Sequence, residues 1–132
     1  MLILLPPSEG KSAPRRGRPL DLSALSLPEL APARESVLDA LVSLCEEEPV
    51  RAAQVLEVPK SHLDLVDLDA RVRTSPTARA DQVYSGVLYD ALSPATLSTA
   101  ARRRATARLM VTSSLFGPVS YTHLTLPTNR EV

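Results

Sequence analysis

The chain opens on Met1-Leu-Ile-Leu-Leu5, an apolar run that stops dead at Pro6-Pro7 and passes into Ser8-Glu-Gly-Lys11. Apolar runs of this length, bounded by turn residues, read as buried strands. Proline lacks the backbone N–H that a central strand must donate, so the pairing has to end where the prolines begin. A second run of this kind, Leu109 to Thr112, enters Ser113-Ser114. Between the two lies a long stretch dominated by helical signals. Two strands joined through helices favour parallel pairing with a right-handed crossover. Their C-terminal ends then share one sheet edge, where open α/β sheets place their ligands. The loops Pro6 to Lys11 and Thr112 to Gly117 are therefore expected to converge on one cleft. The fold class this predicts is α/β, a mixed sheet with helical crossovers.

The intervening stretch divides readily. Ser12 to Pro32 is rich in proline, serine and arginine and has no sustained periodicity, so it reads as a surface excursion. Arg15, Arg16 and Arg18 would make it a positive lip beside the first loop, or simply a solvated one. From Arg34 to Glu47 the residues Val37, Leu38, Leu41, Val42, Leu44 and Cys45 recur at intervals of three and four, the mark of an amphipathic helix. A short helix is expected over Val50 to Val58. Another is expected from Ser61, with the serine as cap and Asp64 three residues on. Arg73 to Asp81 reads as linker. Ser93-Pro94 predicts a capped helix running to about Ala105, with Arg102, Arg103 and Arg104 complementing its C-terminal dipole.

Charge and cysteine content exclude several classes. Fifteen basic side chains balance fifteen acidic ones, so no global field draws the chain to nucleic acid or to an acidic membrane. Any such affinity must come from a local patch. Cys45 is the single cysteine; it has no disulfide partner in the chain, no zinc-ligand spacing surrounds it, and its helical setting predicts a buried thiol. The N-terminal apolar run is shorter than the roughly 7–15 residues of a secretory signal core. No later run approaches membrane-spanning length. A cytoplasmic protein without cofactor or metal site is the expectation.

Gly10-Lys11-Ser12 matches the end of a phosphate loop, but position 5, where that motif needs its first glycine, holds Leu5. Pro6 and Pro7 also remove two amide donors that would face a phosphate. A nucleotide triphosphatase is rejected on these grounds. What remains at the strand end is a carboxylate, Glu9, between Ser8 and Gly10, and an ammonium, Lys11. Lysine holds anions as a point charge, or serves as a base when burial lowers its pKa. Glu9 and Lys11 would equally form an ion pair and no more.

Taken with Tyr84-Ser-Gly-Val-Leu-Tyr89-Asp-Ala-Leu92 and Ser113-Ser-Leu-Phe-Gly117, the opening segment resembles the YaaA family, bacterial cytoplasmic proteins associated with resistance to peroxide stress. The resemblance runs from Met1 to Gly117 and implies the N-terminal part of a larger single domain. It implies a role in limiting iron-dependent damage, with double-stranded DNA as partner and binding residues Ser8, Glu9, Gly10, Lys11, Lys60, Tyr84, Tyr89, Ser113 and Ser114. Lys60 enters through the Val58-Pro-Lys-Ser61 connection, which the family associates with a helix-hairpin-helix element. From the residues alone this segment has no glycine to let a hairpin approach phosphate, and Asp64, Asp67 and Asp69 would repel it. Ordinary helix packing is the competing reading. The other competitors are an enzyme on a phosphorylated or nucleobase-containing substrate using Glu9 or Lys11, and a module that binds only protein.

Val119-Ser-Tyr-Thr-His-Leu-Thr-Leu-Pro-Thr128 resembles a translated transposon-end adapter of the kind used in sequencing libraries. Residues 118–132 are accordingly expected to be a non-native, disordered tail, poorly buried and without functional residues, His123 included.

Overall fold

A computed structural model of the chain describes residues 1–8, 10–121 and the backbone of 124–125. Glu9, His123 and the remainder of the tail lie outside the described residues. The organising sheet has three strands in the order β1 (Ile3–Leu5), β3 (Leu109–Ser113), β4 (Gly117–Ser120). β1 pairs with β3 in parallel, Ile3 opposite Leu109 and Leu5 opposite Val111. β3 then pairs with β4 antiparallel through the turn at 114–116. The sheet is mixed, and the fold is α/β. A second, two-stranded pairing joins β2 (Ala78–Arg79) to β5 (Leu124–Thr125).

Among the described residues all the helices fall in the crossover between β1 and β3. They are α1 (Ala31–Glu47), α2 (Pro49–Val55), α3 (Asp64–Ala70), α4 (Ala80–Val83), α5 (Val87–Leu92) and α6 (Thr99–Arg108). α1 packs on both α2 and α3. Its apolar stripe is used in part: Leu38, Leu41 and Cys45 are buried and Val42 and Leu44 half-buried, while Val37 is exposed. Burial, with a smaller contribution from the nearby Asp69 carboxylate, pushes the Cys45 thiol up to about 11. At neutral pH it is therefore a protonated, unreactive core group. The buried side chains form one cluster that runs from α1 to Val111 of β3 and Phe116 of the following turn.

α2 ends in a two-bond cap. The Val58 amide donates to the Ala53 carbonyl at 2.8 Å and the Glu57 amide to Gln54 at 3.2 Å. The left-handed position of such a cap usually takes glycine; here Glu57 fills it with φ 52°. The hairpin connection therefore carries a carboxylate where a phosphate-gripping turn would carry bare backbone.

Several elements depart from the sequence reading. β1 was expected to be buried, yet Ile3 and Leu4 are exposed, because β1 is a sheet edge with β3 as its one strand neighbour among the described residues. Ser61 caps nothing: it sits inside a 3-10 turn, Lys60–His62, and α3 starts after Leu63 without a side-chain cap. Ser93 has φ 46° and closes α5, donating its amide to the Tyr89 and Asp90 carbonyls. The following residues form only a 3-10 turn, Pro94–Thr96. α6 begins later, capped by the Ser98 hydroxyl, which accepts from the Ala101 amide at 3.2 Å. Arg102, Arg103 and Arg104 thus stand in its middle, and Arg108 occupies the last turn. Arg73 to Asp81 contains β2 and the start of α4 rather than linker alone.

The surface excursion is pinned rather than loose. Thr77 donates to the Arg18 carbonyl from both its amide (2.9 Å) and its hydroxyl (2.7 Å). Gly17 makes that approach feasible: its φ is +153°, and a Cβ there would lie 2.4 Å from the Thr77 carbonyl oxygen.

The start of the tail also differs from expectation. Val119 and Tyr121 are buried, Val119 opposite Val111 in the sheet. The Tyr121 amide donates to the Leu109 carbonyl, and its own carbonyl accepts from Asp81. Alternate residues of a strand face one side, so β4 turns both side chains onto the cluster that β3 already anchors. Removing two methyl groups from a fully buried valine costs about 2 kcal/mol. Val119→Ala is accordingly expected to lower the urea midpoint by that equivalent; an unchanged midpoint would mean that residue 119 is not packed as described.

Candidate functional site

The loop after β1 does not float. Residues 10–12 run antiparallel to 83–85, with a single bridge between Lys11 and Tyr84. The Ser85 amide donates to the Gly10 carbonyl at 3.0 Å and the Ser12 amide to Val83 at 2.7 Å. A Cβ at position 10 would come within 3.0 Å of the Ser85 hydroxyl oxygen and 3.3 Å of its carbonyl, so the two segments meet at glycine distance. Within the loop the Ser8 hydroxyl donates to the Gly10 carbonyl at 2.5 Å. The Lys11 ammonium donates to the Ser8 carbonyl at 2.6 Å. It also lies over the Tyr84 ring, Nζ 5.7 Å from the centroid, within the range at which the ring face attracts a cation.

Tyr84 and Tyr89 are five apart, a spacing that separates side chains on one continuous helix. They nevertheless stack, ring centroids 5.5 Å apart and planes 20° from parallel. The reason is the break between α4 and α5. Gly86 has φ +113°, a conformation that side-chain-bearing residues rarely adopt, and it reverses the chain so that α5 brings Tyr89 back under Tyr84. Both rings are buried. The Tyr89 hydroxyl donates to the Pro6 carbonyl at 2.5 Å, fastening α5 to the end of β1. Beside the stack lies a cleft of about 280 Å³ lined by Tyr84, Tyr89, Asp90, Ser93, Pro94 and Ala95. Pro94 and Ala95 also border a second cleft of about 340 Å³, which Arg79 and Arg102 make basic and Asp81 makes partly acidic. The Arg79 guanidinium is bound to Asp81 through two hydrogen bonds, 2.6 and 3.0 Å.

The strand end bearing serine, glycine and lysine is thus closed over by a Tyr-Ser-Gly turn, a meeting that the sequence reading, which pairs this loop with Thr112 to Gly117, does not include. A family model described as peroxide stress protein YaaA matches residues 1–127. The chain belongs to the YaaA peroxide stress family. It is 47% identical over 122 residues to UPF0246 protein SCO2297 of Streptomyces coelicolor, covering 92% of this chain and 47% of that protein. It is 44% identical over 119 residues to UPF0246 protein CE1889 of Corynebacterium efficiens, and 42% over 122 residues to a UPF0246 protein of Corynebacterium glutamicum. The chain spans about half the length of the curated relatives it matches.

The remaining family-implied residues fall in different places. Ser113 ends β3 and Ser114 follows it, at the same sheet edge as the Pro6 loop, because β1 and β3 are parallel. Ser113 is engaged locally, its hydroxyl accepting from the Phe116 amide at 3.1 Å. The link between the two strand ends is Thr112, which donates to the Leu5 carbonyl at 3.3 Å. Lys60 is exposed on the 3-10 turn between α2 and α3, on another part of the chain from the Tyr84 stack. Among the described residues no group of three or more histidine, cysteine, aspartate and glutamate side chains is placed to hold a metal ion. No helix among them is long and apolar enough to cross a membrane.

Sequence reasoning missed Arg34. It sits in the first turns of α1 yet is buried, donating to the carbonyls of Leu27 (3.1 Å) and Ser26 (2.5 Å). A Cβ on Gly117 would meet its guanidinium at 3.2 Å, so the side chain lies close against the backbone at the end of the Ser113 turn. Its position, four residues before Leu38, is in phase with the buried stripe, but a cation there reads as solvent-facing by residue type.

The Tyr89 hydroxyl is the member of the site whose worth is most directly measured. Deleting it leaves the Pro6 carbonyl without that donor, at a cost of about 1–2 kcal/mol. Tyr89→Phe is expected to lose that much in urea unfolding while keeping the ring stack. An unchanged stability would show that the bond does not anchor the loop.

Proposed function

We propose that the chain carries the phosphate-contacting part of a YaaA-type peroxide-stress protein, with duplex DNA as ligand and Lys11 as the cation that meets its backbone. The observation that carries the reading is the fixed position of the Lys11 ammonium at the β1 edge, held by the Ser8 carbonyl and the Tyr84 face. A cation positioned in this way loses little side-chain freedom on binding, which favours contact with an anion. The exposed Arg15, Arg16 and Arg18 on the adjoining excursion add local positive charge to a chain of zero net charge. Family membership supports a role under peroxide stress. In such a role, DNA would be the molecule exposed to the hydroxyl radical that ferrous iron and peroxide generate. The hairpin reading is weaker, because Glu57 occupies its left-handed position.

The test is duplex binding by the full 132-residue chain over a salt series. Lys11→Ala is expected to weaken binding about equally for unrelated sequences and to reduce the salt slope by about one. Lys60→Ala should leave the slope unchanged. A reduced slope for Lys60→Ala with none for Lys11→Ala would move the contact to the hairpin. Turnover of a phosphorylated substrate abolished by Glu9→Ala would replace the binding reading with an enzymatic one.

A further inference from the structure

We infer that Arg16 and Arg18 enter the narrow minor groove of A·T-rich duplex DNA, with the bare backbone of Gly17 between them, and that this segment gives the chain a base-pair preference. The inference rests on the duplex-DNA reading above and adds to it what Lys11, a phosphate contact, does not supply.

The segment is displayed rather than packed. Arg15 to Pro19 are all exposed, while Pro14 and Leu20 on either side are half-buried. The Arg18 carbonyl accepts from both the amide and the hydroxyl of Thr77, so the backbone is fixed before any ligand arrives. At residue 17 the direction that a side chain takes is filled: a Cβ would lie 2.4 Å from the Thr77 carbonyl oxygen and 3.4 Å from the Pro76 Cβ. The exposed side of the segment there is bare backbone, with an arginine before it and another after. Arg51, Arg73 and Arg79 each meet a carboxylate. Among the described residues no ion pair holds Arg15, Arg16 or Arg18. Asp21, the closest carboxylate in sequence to Arg16 and Arg18, is turned to the amide and hydroxyl of Ser23.

That arrangement matches one feature of a duplex. The minor groove of B-form DNA is about 6 Å wide, and over A·T runs it narrows and its negative potential deepens, which draws arginine in. Backbone that follows two arginines toward so narrow a groove must carry no side chain at its closest point, and Gly17 meets that condition. Guanidinium is also more weakly hydrated than ammonium, so it loses less on leaving bulk water. The excursion, Ser12 to Pro32, holds arginine and no lysine. A contact to phosphate alone requires neither the glycine nor that choice of cation. The wide, shallow minor groove of A-form RNA does not offer the same fit. One stretch, 77–85, carries both parts of the surface: Thr77 pins the arginines, while Val83 and Ser85 bond to Ser12 and Gly10 on either side of Lys11.

The experiment measures, by fluorescence anisotropy across a salt series, binding of the full 132-residue chain to two labelled duplexes of equal length, one centred on an A·T run and one of G·C pairs. The A·T duplex is expected to bind at least about tenfold more tightly. Arg16→Ala combined with Arg18→Ala should bring the ratio of the two affinities to about one while the circular dichroism is kept. Lys11→Ala should weaken both duplexes alike and leave the ratio standing. An A·T duplex first filled with netropsin, a minor-groove ligand, should bind no better than the G·C one. Equal affinity of the unaltered chain for the two duplexes would overturn the inference and leave the Lys11 contact in place. An A·T preference that depends on the arginines, with a salt slope that Lys11→Ala does not change, would strike the Lys11 contact alone. A preference that survives the double substitution or netropsin, tighter binding to duplex RNA, or no binding to any duplex would overturn the inference.

Discussion

The interaction on which the rest depends is the parallel pairing of β1 with β3, between residues more than a hundred positions apart in the sequence. Closing a loop of that length is entropically costly, and three ladder positions alone do not offset it. The offset comes from what the crossover buries. α1 lays Leu38, Leu41 and Cys45 into the cluster, the turn after β3 adds Leu115 and Phe116, and β4 adds Val119. Once the pair is formed, both strand ends emerge at one edge, and the Pro6 loop is delivered beside the Tyr84 to Tyr89 turn. The site is therefore a consequence of the crossover rather than a local motif.

Much of this geometry was legible in the residues. An apolar run cut off by two prolines and a second run entering two serines, with helices between, dictate a parallel pair, and that pair is present. The stripe in α1 was equally legible, since helical period and burial agree at Leu38, Leu41 and Cys45. What was not legible depends on residues doing two jobs. Ser93 before Pro94 has every local qualification for a helix cap, but it is spent closing α5, and Ser98 starts the next helix instead. β1 is as apolar as a central strand but stands at an edge, with β3 as its one strand neighbour among the described residues, and composition alone does not distinguish the two places. The burial of Val119 and Tyr121 follows from β3 offering a pairing edge, which a reading of the tail by itself does not include.

In the candidate site the residue types were legible and their meeting was not. Lysine, serine and glycine at a strand end read either as a binding loop or as a local ion pair with Glu9. That Lys11 should lie over Tyr84, and Tyr84 over Tyr89, depends on one backbone reversal at Gly86, which spacing rules for a continuous helix exclude. Arg34 was invisible for the opposite reason. Among the described residues its side-chain hydrogen bonds go to the Leu27 and Ser26 carbonyls of the excursion, and Gly117 leaves room for it beside the Ser113 turn. The arrangement stands in a chain of the YaaA peroxide stress family.

The central claim, that two distant strands pair in parallel and thereby bring their loops to one edge, is tested most directly by cross-strand proton contacts in solution. Isotope-labelled chain should show nuclear Overhauser effects linking the backbone of Leu4 with that of Met110, and of Leu5 with Val111, in the pattern of parallel neighbours. An antiparallel pattern, a shifted register, or no contact between residues 3–5 and 109–111 in a folded sample would contradict it.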